Sequence, residues 1–306
     1  MSLTERTAAL ERAFVEARTL YRETWLGYLL VFPAVAMVSV VVLYPTAVGV
    51  YTSFFEKSLL YPEQANWIGF SNYVQALSDP VFVGALGRSV LLTAVAVSLE
   101  YLLGLGLALA LKRRLPAIGV FRSLTMVPWV LPTVVMVTIF SFMIQPDFGI
   151  INNILAAFGL PTRYWFGSRA FAFPLVVVMH VWQNVPFFAV ALMAGMMSIP
   201  EELYEAAKID GAGAVAQFRH VTLPNISQIS MIMIVLHVIY TFNNFDIVYL
   251  STGGGPLNRT EVLATYVYKT GFLQNALGYG SAIGTVMLVL MLVFTAVYVY
   301  MEEIEA

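Results

Sequence analysis

Two uncharged stretches carry the side chains best suited to recognising a solute. Between Arg169 and Glu201, His180, Gln183, Asn184 and Phe187 recur at i, i+3, i+4 and i+7, so a helix would gather them on one face. Between Arg219 and Asp246, His237, Tyr240, Thr241 and Asn244 repeat that spacing. Amides and hydroxyls both donate and accept hydrogen bonds, and aromatic rings stack on the apolar faces of a pyranose, so two such faces suit a neutral sugar. Neither face contains Lys or Arg, which an anionic solute such as a sugar phosphate would want unless a partner chain supplied the cation. The competing reading of each residue is hydrogen bonding between neighbouring helices, and His237 suits that reading best.

Other chemistries are poorly supplied. Glu100 lies within an uncharged stretch and Asp246 at the end of one. A buried carboxylate can relay protons in an ion-coupled carrier, but the sequence offers Glu100 no evident partner, so it is expected to bond a neighbouring helix. Three histidines without an HExxH pattern do not make a metal site. The absence of cysteine removes disulfides, thiol nucleophiles and thiolate metal sites. No GxxxxGK[ST] loop occurs, so any ATP hydrolysis must reside on another chain. A net charge of −2 gives no electrostatic footprint for nucleic acid.

The elements that position these residues follow from composition. Of 306 residues, 59% are hydrophobic and 11% charged, with a mean hydropathy of +0.80. A water-soluble globule of that composition would expose apolar bands far beyond the tolerated patch size. A helix crosses a bilayer with about 20 apolar residues, and six stretches reach that length with no charge except Glu100 inside the second and Asp246 near the end of the fifth. They predict spans over about 27–54, 89–111, 123–145, 171–197, 225–248 and 278–300, apolar around the whole circumference as in lipid-embedded helices. The expected fold is an all-α, six-span membrane bundle.

Basic residues set the orientation. Ten lie before span one and in the loops between spans two and three and four and five, against six on the opposite side. Both termini and the 199–224 loop are therefore expected in the cytoplasm, with 302–306 as a short tail. Residues 1–24 place Leu10, Phe14, Ala17 and Tyr21 on one helical face, as in an interfacial helix on the membrane lipid. They lack the short apolar core and cleavage site of a signal peptide. Residues 55–88 and 145–170 become external connections, with Trp67, Tyr73, Tyr164 and Trp165 suited to the headgroup level.

The cytoplasmic loop has its own mechanics. It reads Ile199-Pro-Glu-Glu-Leu-Tyr-Glu-Ala-Ala-Lys-Ile-Asp-Gly211, then nine residues, then Val221-Thr-Leu-Pro224. Ser198 with Glu201 three residues on, and Pro200 in the first turn, predicts a helix start. Gly211 lets the chain turn, and Pro224 punctuates the approach to span five. The product is a helix–turn–helix held outside the membrane, with the small residues Ala206 and Ala207 open to a docking partner.

EAAKIDG followed by VTLP resembles the EAA loop of ATP-binding-cassette (ABC) importer permeases, with Val221 at a usual Ile position. Trp67-Ile-Gly-Phe-Ser-Asn-Tyr73, Glu100-Tyr-Leu-Leu-Gly-Leu, Trp182-Gln-Asn-Val-Pro-Phe187 and the run from Phe242 through Thr252-Gly-Gly-Gly-Pro256 are similar to the carbohydrate permeases of the maltose-transporter class. The TGGGP stretch and the Glu302-Glu-Ile-Glu-Ala ending resemble its F-type subunit. The resemblance implies a type I ABC importer permease fold in a prokaryotic plasma membrane. It implies a second, G-like permease as partner, two copies of an ATPase that bind ATP and Mg, and an extracytoplasmic sugar-binding protein. No cofactor would sit on this chain. Glu205, Ala206, Ala207, Asp210, Gly211, Leu223 and Pro224 would form the coupling element. His180, Gln183, Asn184, Phe187, Tyr240, Thr241 and Asn244 would face a neutral di- or oligosaccharide. The alternatives are a permease for glycerol phosphate or another polar solute, and an ATP-independent carrier or channel.

Overall fold

The computed structural model describes residues 25, 27–113 and 116–305; the expected interfacial helix over 1–24 lies outside them. The chain divides into two units, one ending at Thr52 and one from Ser53 onward. The first contains the apolar helix Gly27–Thr52, with Leu30, Phe32, Val40 and Val41 exposed.

The second unit is built on two long helices, Pro80–Leu111 and Ala172–Met197, packed along most of their length. Glycine permits the close approach: a side chain at Gly104 would meet Phe188 Cβ at 2.5 Å and the Ala189 backbone nitrogen at 3.2 Å. Around that seam, Leu92, Ala96, Met136, Val176 and Met179 form one core layer, and Leu105, Ala108, Leu192 and Met196 another. Among the described residues, the helix Leu277–Met301 completes a set of four unbroken helices long and apolar enough to span.

The third span, and the fifth together with the end of the 199–224 loop, are broken helices. Each is a pair, Ile118–Val130 with Thr133–Met143 bent by 94°, and Ala214–Asn225 with Ser227–Phe242 bent by 65°. At the first break Leu131 and Pro132 are extended, because proline supplies no N–H and disfavours helix in the residue before it. Counting each bent pair as one span gives up to six among the described residues. The second span also starts earlier than expected. Pro80 occupies its first turn and Asp79 caps it, accepting from the Val81 N–H at 2.8 Å. Arg88, expected in an external connection, lies inside this helix and donates through Nε to the Glu261 carbonyl at 2.7 Å.

The segment after the fifth span folds back onto helix 80–111. Gly253 and Gly254 turn the chain at φ +54° and +84°, where a side chain on Gly254 would collide with the Glu261 carboxylate. Glu261 is fully buried and paired with Lys269, and the Leu263 N–H donates to Ser89 Oγ at 2.8 Å. Phe55–Glu56 and Asn66–Trp67 form a short antiparallel pair. Of the aromatics expected at the headgroups, Trp67 and Tyr164 are exposed. Tyr73 bonds Ser53 Oγ at 2.5 Å, and Trp165 donates to Asn152 Oδ1 at 3.1 Å.

Asp79 also joins three elements, since Tyr266 and Tyr279 both donate to its Oδ2. Burial pushes this carboxyl up, but the two tyrosine hydroxyls and the Val81 and Phe82 N–H groups outweigh it and hold the carboxyl below its ordinary value. The folded state therefore binds its proton less readily than the unfolded chain. The resulting stability is present at neutral pH and is lost as pH falls through the carboxylate range into the depressed folded value. A series of thermal unfolding midpoints from pH 7 to 3 is expected to fall more steeply for wild type than for Asp79→Asn. Parallel curves would deny Asp79 this role.

Candidate solute site and coupling loop

The polar faces of the fourth and fifth spans meet beside the break in the third. A cavity of about 480 Å³ is lined by Trp129, Leu131, Pro132 and Thr133 of the broken span, Gln183, Asn184 and Phe187 of helix 172–197, and Leu236, His237 and Tyr240 of helix 227–242. Part of its wall is aromatic. Trp129 stacks on Phe187 with centroids 5.3 Å apart and planes 13° apart, Phe187 lies 5.5 Å from the His237 ring, and His237 lies 6.0 Å from Tyr240. Gln183 donates through Nε2 to the Leu131 carbonyl at 3.3 Å and Thr133 Oγ1 at 3.4 Å. That amide satisfies a carbonyl freed by the helix break, as backbone at membrane depth requires. Gln183 Oε1 is buried and has no partner among the described residues.

The structure thus brings Gln183, Asn184, Phe187 and Tyr240 together around one cavity, whereas His180, Thr241 and Asn244 are buried and do not line it. Thr241 Oγ1 and Asn244 Oδ1 lack partners among the described residues. Trp129 and the 131–133 break were not among the sequence candidates. A proline within an uncharged stretch was the available signal. His237 does line the cavity, in addition to bonding between helices.

Glu100 is not alone, contrary to the sequence expectation that it lacks a partner on this chain. It is fully buried, and its two oxygens meet His180 Nδ1 at 2.8 Å and His237 Nδ1 at 3.1 Å. One carboxylate therefore ties the second, fourth and fifth spans together, as the expected bond to a neighbouring helix required. The partners lie 80 and 137 residues away in sequence, so no local spacing announces them. A larger groove of about 540 Å³, lined by Leu99, Leu103, Val178, Trp182 and Pro186 among others, is almost wholly apolar and suits an acyl chain better than a polyhydroxyl solute.

The 199–224 segment forms a helix, Glu201–Ile209, then a turn, then Ala214–Asn225. Its start differs from the expected capping. Pro200 holds the N-cap position without a side-chain bond, and Ser198 ends the preceding helix by donating to the Gly195 carbonyl at 2.8 Å. Helix 172–197 runs far enough to claim Ser198 for its own last turn. Glu201 and Glu202 occupy the first turn and Lys208 the last, in the sense the helix dipole favours. Gly211 turns the chain at φ +81°, and Ala212 N–H closes back on the Ala207 carbonyl at 2.8 Å. Tyr204 holds the hairpin to its neighbours, bonding Thr222 Oγ1 at 3.0 Å and accepting from Lys112 Nζ at 3.2 Å.

Glu205, Ala206, Asp210, Gly211 and Pro224 are exposed, while Ala207 and Leu223 are half-buried. The most exposed large hydrophobic side chains of the loop are Ile209, at 86%, and Val215, at 80%. Sequence reasoning pointed to the small alanines. It missed this apolar pair, since exposure of Ile209 depends on how the turn directs the end of the helix.

Residues 100–303 match the family model described as binding-protein-dependent transport system inner membrane component. The chain is 36% identical to the sulfoquinovosyl glycerol transport system permease protein SmoG of Agrobacterium fabrum, over 89% of each chain. It is also 36% identical to the trehalose/maltose transport system permease protein MalF of Thermococcus litoralis, over 91% of this chain and 94% of that one. A solved bacterial ABC transporter involved in import of the acidic polysaccharide alginate shares the fold, with a TM-score of 0.82 at 22% identity, covering 94% of this chain and 98% of its own. A broken-helix bundle with the fold of a type I ABC importer permease, matched along two thirds of its length by that family model and nearly throughout by such relatives, belongs to the family of binding-protein-dependent transport system inner membrane components.

Proposed function

We propose that this chain is one permease subunit of an ATP-driven, binding-protein-dependent sugar importer. It forms half of the pathway for a neutral di- or oligosaccharide. The observation that carries this reading is the cavity beside the third-span break. It combines Trp129, Phe187 and Tyr240 rings with Gln183 and Asn184 amides and contains no Lys or Arg. Such a lining stacks on pyranose faces and bonds hydroxyls without requiring charge. The name of the Thermococcus relative, a trehalose/maltose permease, supports a disaccharide.

In this reading both termini and the 199–224 hairpin face the cytoplasm, and an extracytoplasmic binding protein delivers sugar from the other side. A second, homologous permease completes the pathway. Two ATPase chains, binding ATP and Mg, receive the hairpin, with Glu205, Asp210 and Gly211 at the contact and Leu223 and Pro224 leading into the fifth span. His180, Thr241 and Asn244 would meet solute when the spans rearrange, since packed interfaces switch between discrete arrangements.

The test is ATP hydrolysis by the reconstituted complex as sugar-loaded binding protein is titrated. Gln183→Ala and Tyr240→Ala are each expected to raise the half-saturating concentration about tenfold, the worth of one hydrogen bond or stacking contact of about 1.4 kcal/mol. Solute movement in liposomes by this chain alone, without ATP, would sink the importer reading.

A further inference from the structure

Glu100 sits one layer behind the solute cavity, and its contacts constrain protons that the cavity exposes. Both carboxylate oxygens are engaged, Oε1 with His180 Nδ1 and Oε2 with His237 Nδ1. An ionised carboxylate only accepts, so each imidazole must donate through Nδ1. A neutral ring that donates through one nitrogen accepts through the other. Asn184 Nδ2 approaches His180 Nδ1 at 3.4 Å but the His180 carbonyl at 2.9 Å. The carbonyl takes one amide hydrogen, and at 3.4 Å the amide does not compete for Nδ1 with Glu100 Oε1 at 2.8 Å. His180 Nε2 is buried with no partner among the described residues. Protonating it as well would strand a cationic N–H without an acceptor, which costs far more than an idle lone pair. The His237 ring lines the cavity while its Nδ1 is turned to Glu100, so Nε2 is the polar atom left for a guest.

We propose that Glu100 is the positioning residue of the solute cavity, fixing His180 and His237 as Nδ1–H tautomers so that His237 Nε2 accepts a hydrogen bond from a solute hydroxyl. This rests on the sugar-permease reading and deepens it. A polyhydroxyl solute supplies the donor, whereas a carboxylate or phosphate would face lone pair with lone pair. Glu100 thereby adds a second discrimination against anionic solutes to the lack of Lys and Arg in the cavity.

With only three histidines in the chain, the tautomers can be read by ¹⁵N NMR of histidine-labelled protein within the assembled complex in lipid nanodiscs, His220→Gln identifying the third ring. Wild type is expected to show both His180 and His237 protonated at Nδ1 and bare at Nε2. In Glu100→Gln one acceptor oxygen becomes an NH₂ donor, so one of the two rings is expected to switch to Nε2–H. An Nε2-protonated His237 in wild type, or tautomers unchanged in Glu100→Gln, overturns the proposal. If Glu100→Gln does not assemble, the wild-type spectrum alone decides. Maltose-stimulated ATP hydrolysis, with maltose presented on a binding protein, is followed in the same complex. Stimulation accompanied by an Nε2-protonated His237 overturns the role of Glu100 and leaves the permease reading intact. Locked tautomers in a complex that moves solute without ATP support the role of Glu100 and overturn the importer reading instead.

Discussion

Glu100→Ala is expected to lose about 3–5 kcal/mol of stability, the usual cost of removing one partner from a buried charged network. The variant leaves two buried Nδ1–H groups facing a cavity where their acceptor stood, and it unties the second, fourth and fifth spans from one another. Glu100→Gln keeps a neutral hydrogen bond to each ring, one accepted by its carbonyl oxygen and one donated by its NH₂ to the ring that has switched tautomer, and is expected to lose about half as much. Thermal unfolding of the purified chain in one detergent, followed by intrinsic fluorescence, orders the three proteins as wild type, Gln, Ala. Equal midpoints for wild type and Glu100→Ala would mean that the three spans are held by apolar packing alone.

Ile209→Glu, alone or with Val215→Glu, is expected to remove the ATPase from the purified assembly while leaving the permease folded. Both side chains stand in solvent, so a charge there costs the isolated chain little. Buried at the centre of an interface, it would cost about 2–4 kcal/mol, or roughly 30-fold to 1,000-fold in affinity. Copurification of the ATPase, together with an unfolding midpoint for the permease, separates lost docking from lost folding. Undiminished copurification would move the contact to Glu205 and Ala206 on the helix itself.

Much of this architecture was legible without coordinates. Uncharged stretches long enough to cross a bilayer identify spans because nothing but a helix satisfies its own backbone in hydrocarbon. The i, i+3, i+4, i+7 recurrence put Gln183, Asn184 and Phe187 on a common face because helical periodicity is local. The turn at Gly211 was legible for the same reason, as its left-handed backbone favours the one residue without a Cβ.

Tertiary structure alone decided where chains distant in sequence meet. A count of uncharged residues does not register a 94° bend, so the break at Leu131 and Pro132, and with it one wall of the cavity, emerged only in three dimensions. Whether a polar residue on a helical face points at solute or at another helix depends on the rotation and register of its neighbours, set by close packing such as that of Gly104 on Phe188. That is why His180 turned inward to Glu100 while Gln183, three residues on, reached the cavity. The sequence by itself determined a membrane-embedded helical bundle, the helix–turn–helix over 199–224 and a pair of polar faces, all products of local composition and helical period. The pairing of Glu100 with two histidines and the shape of the cavity belong to tertiary structure, because hydrogen bonds and close contacts across 80 and 137 residues depend on how separate helices pack.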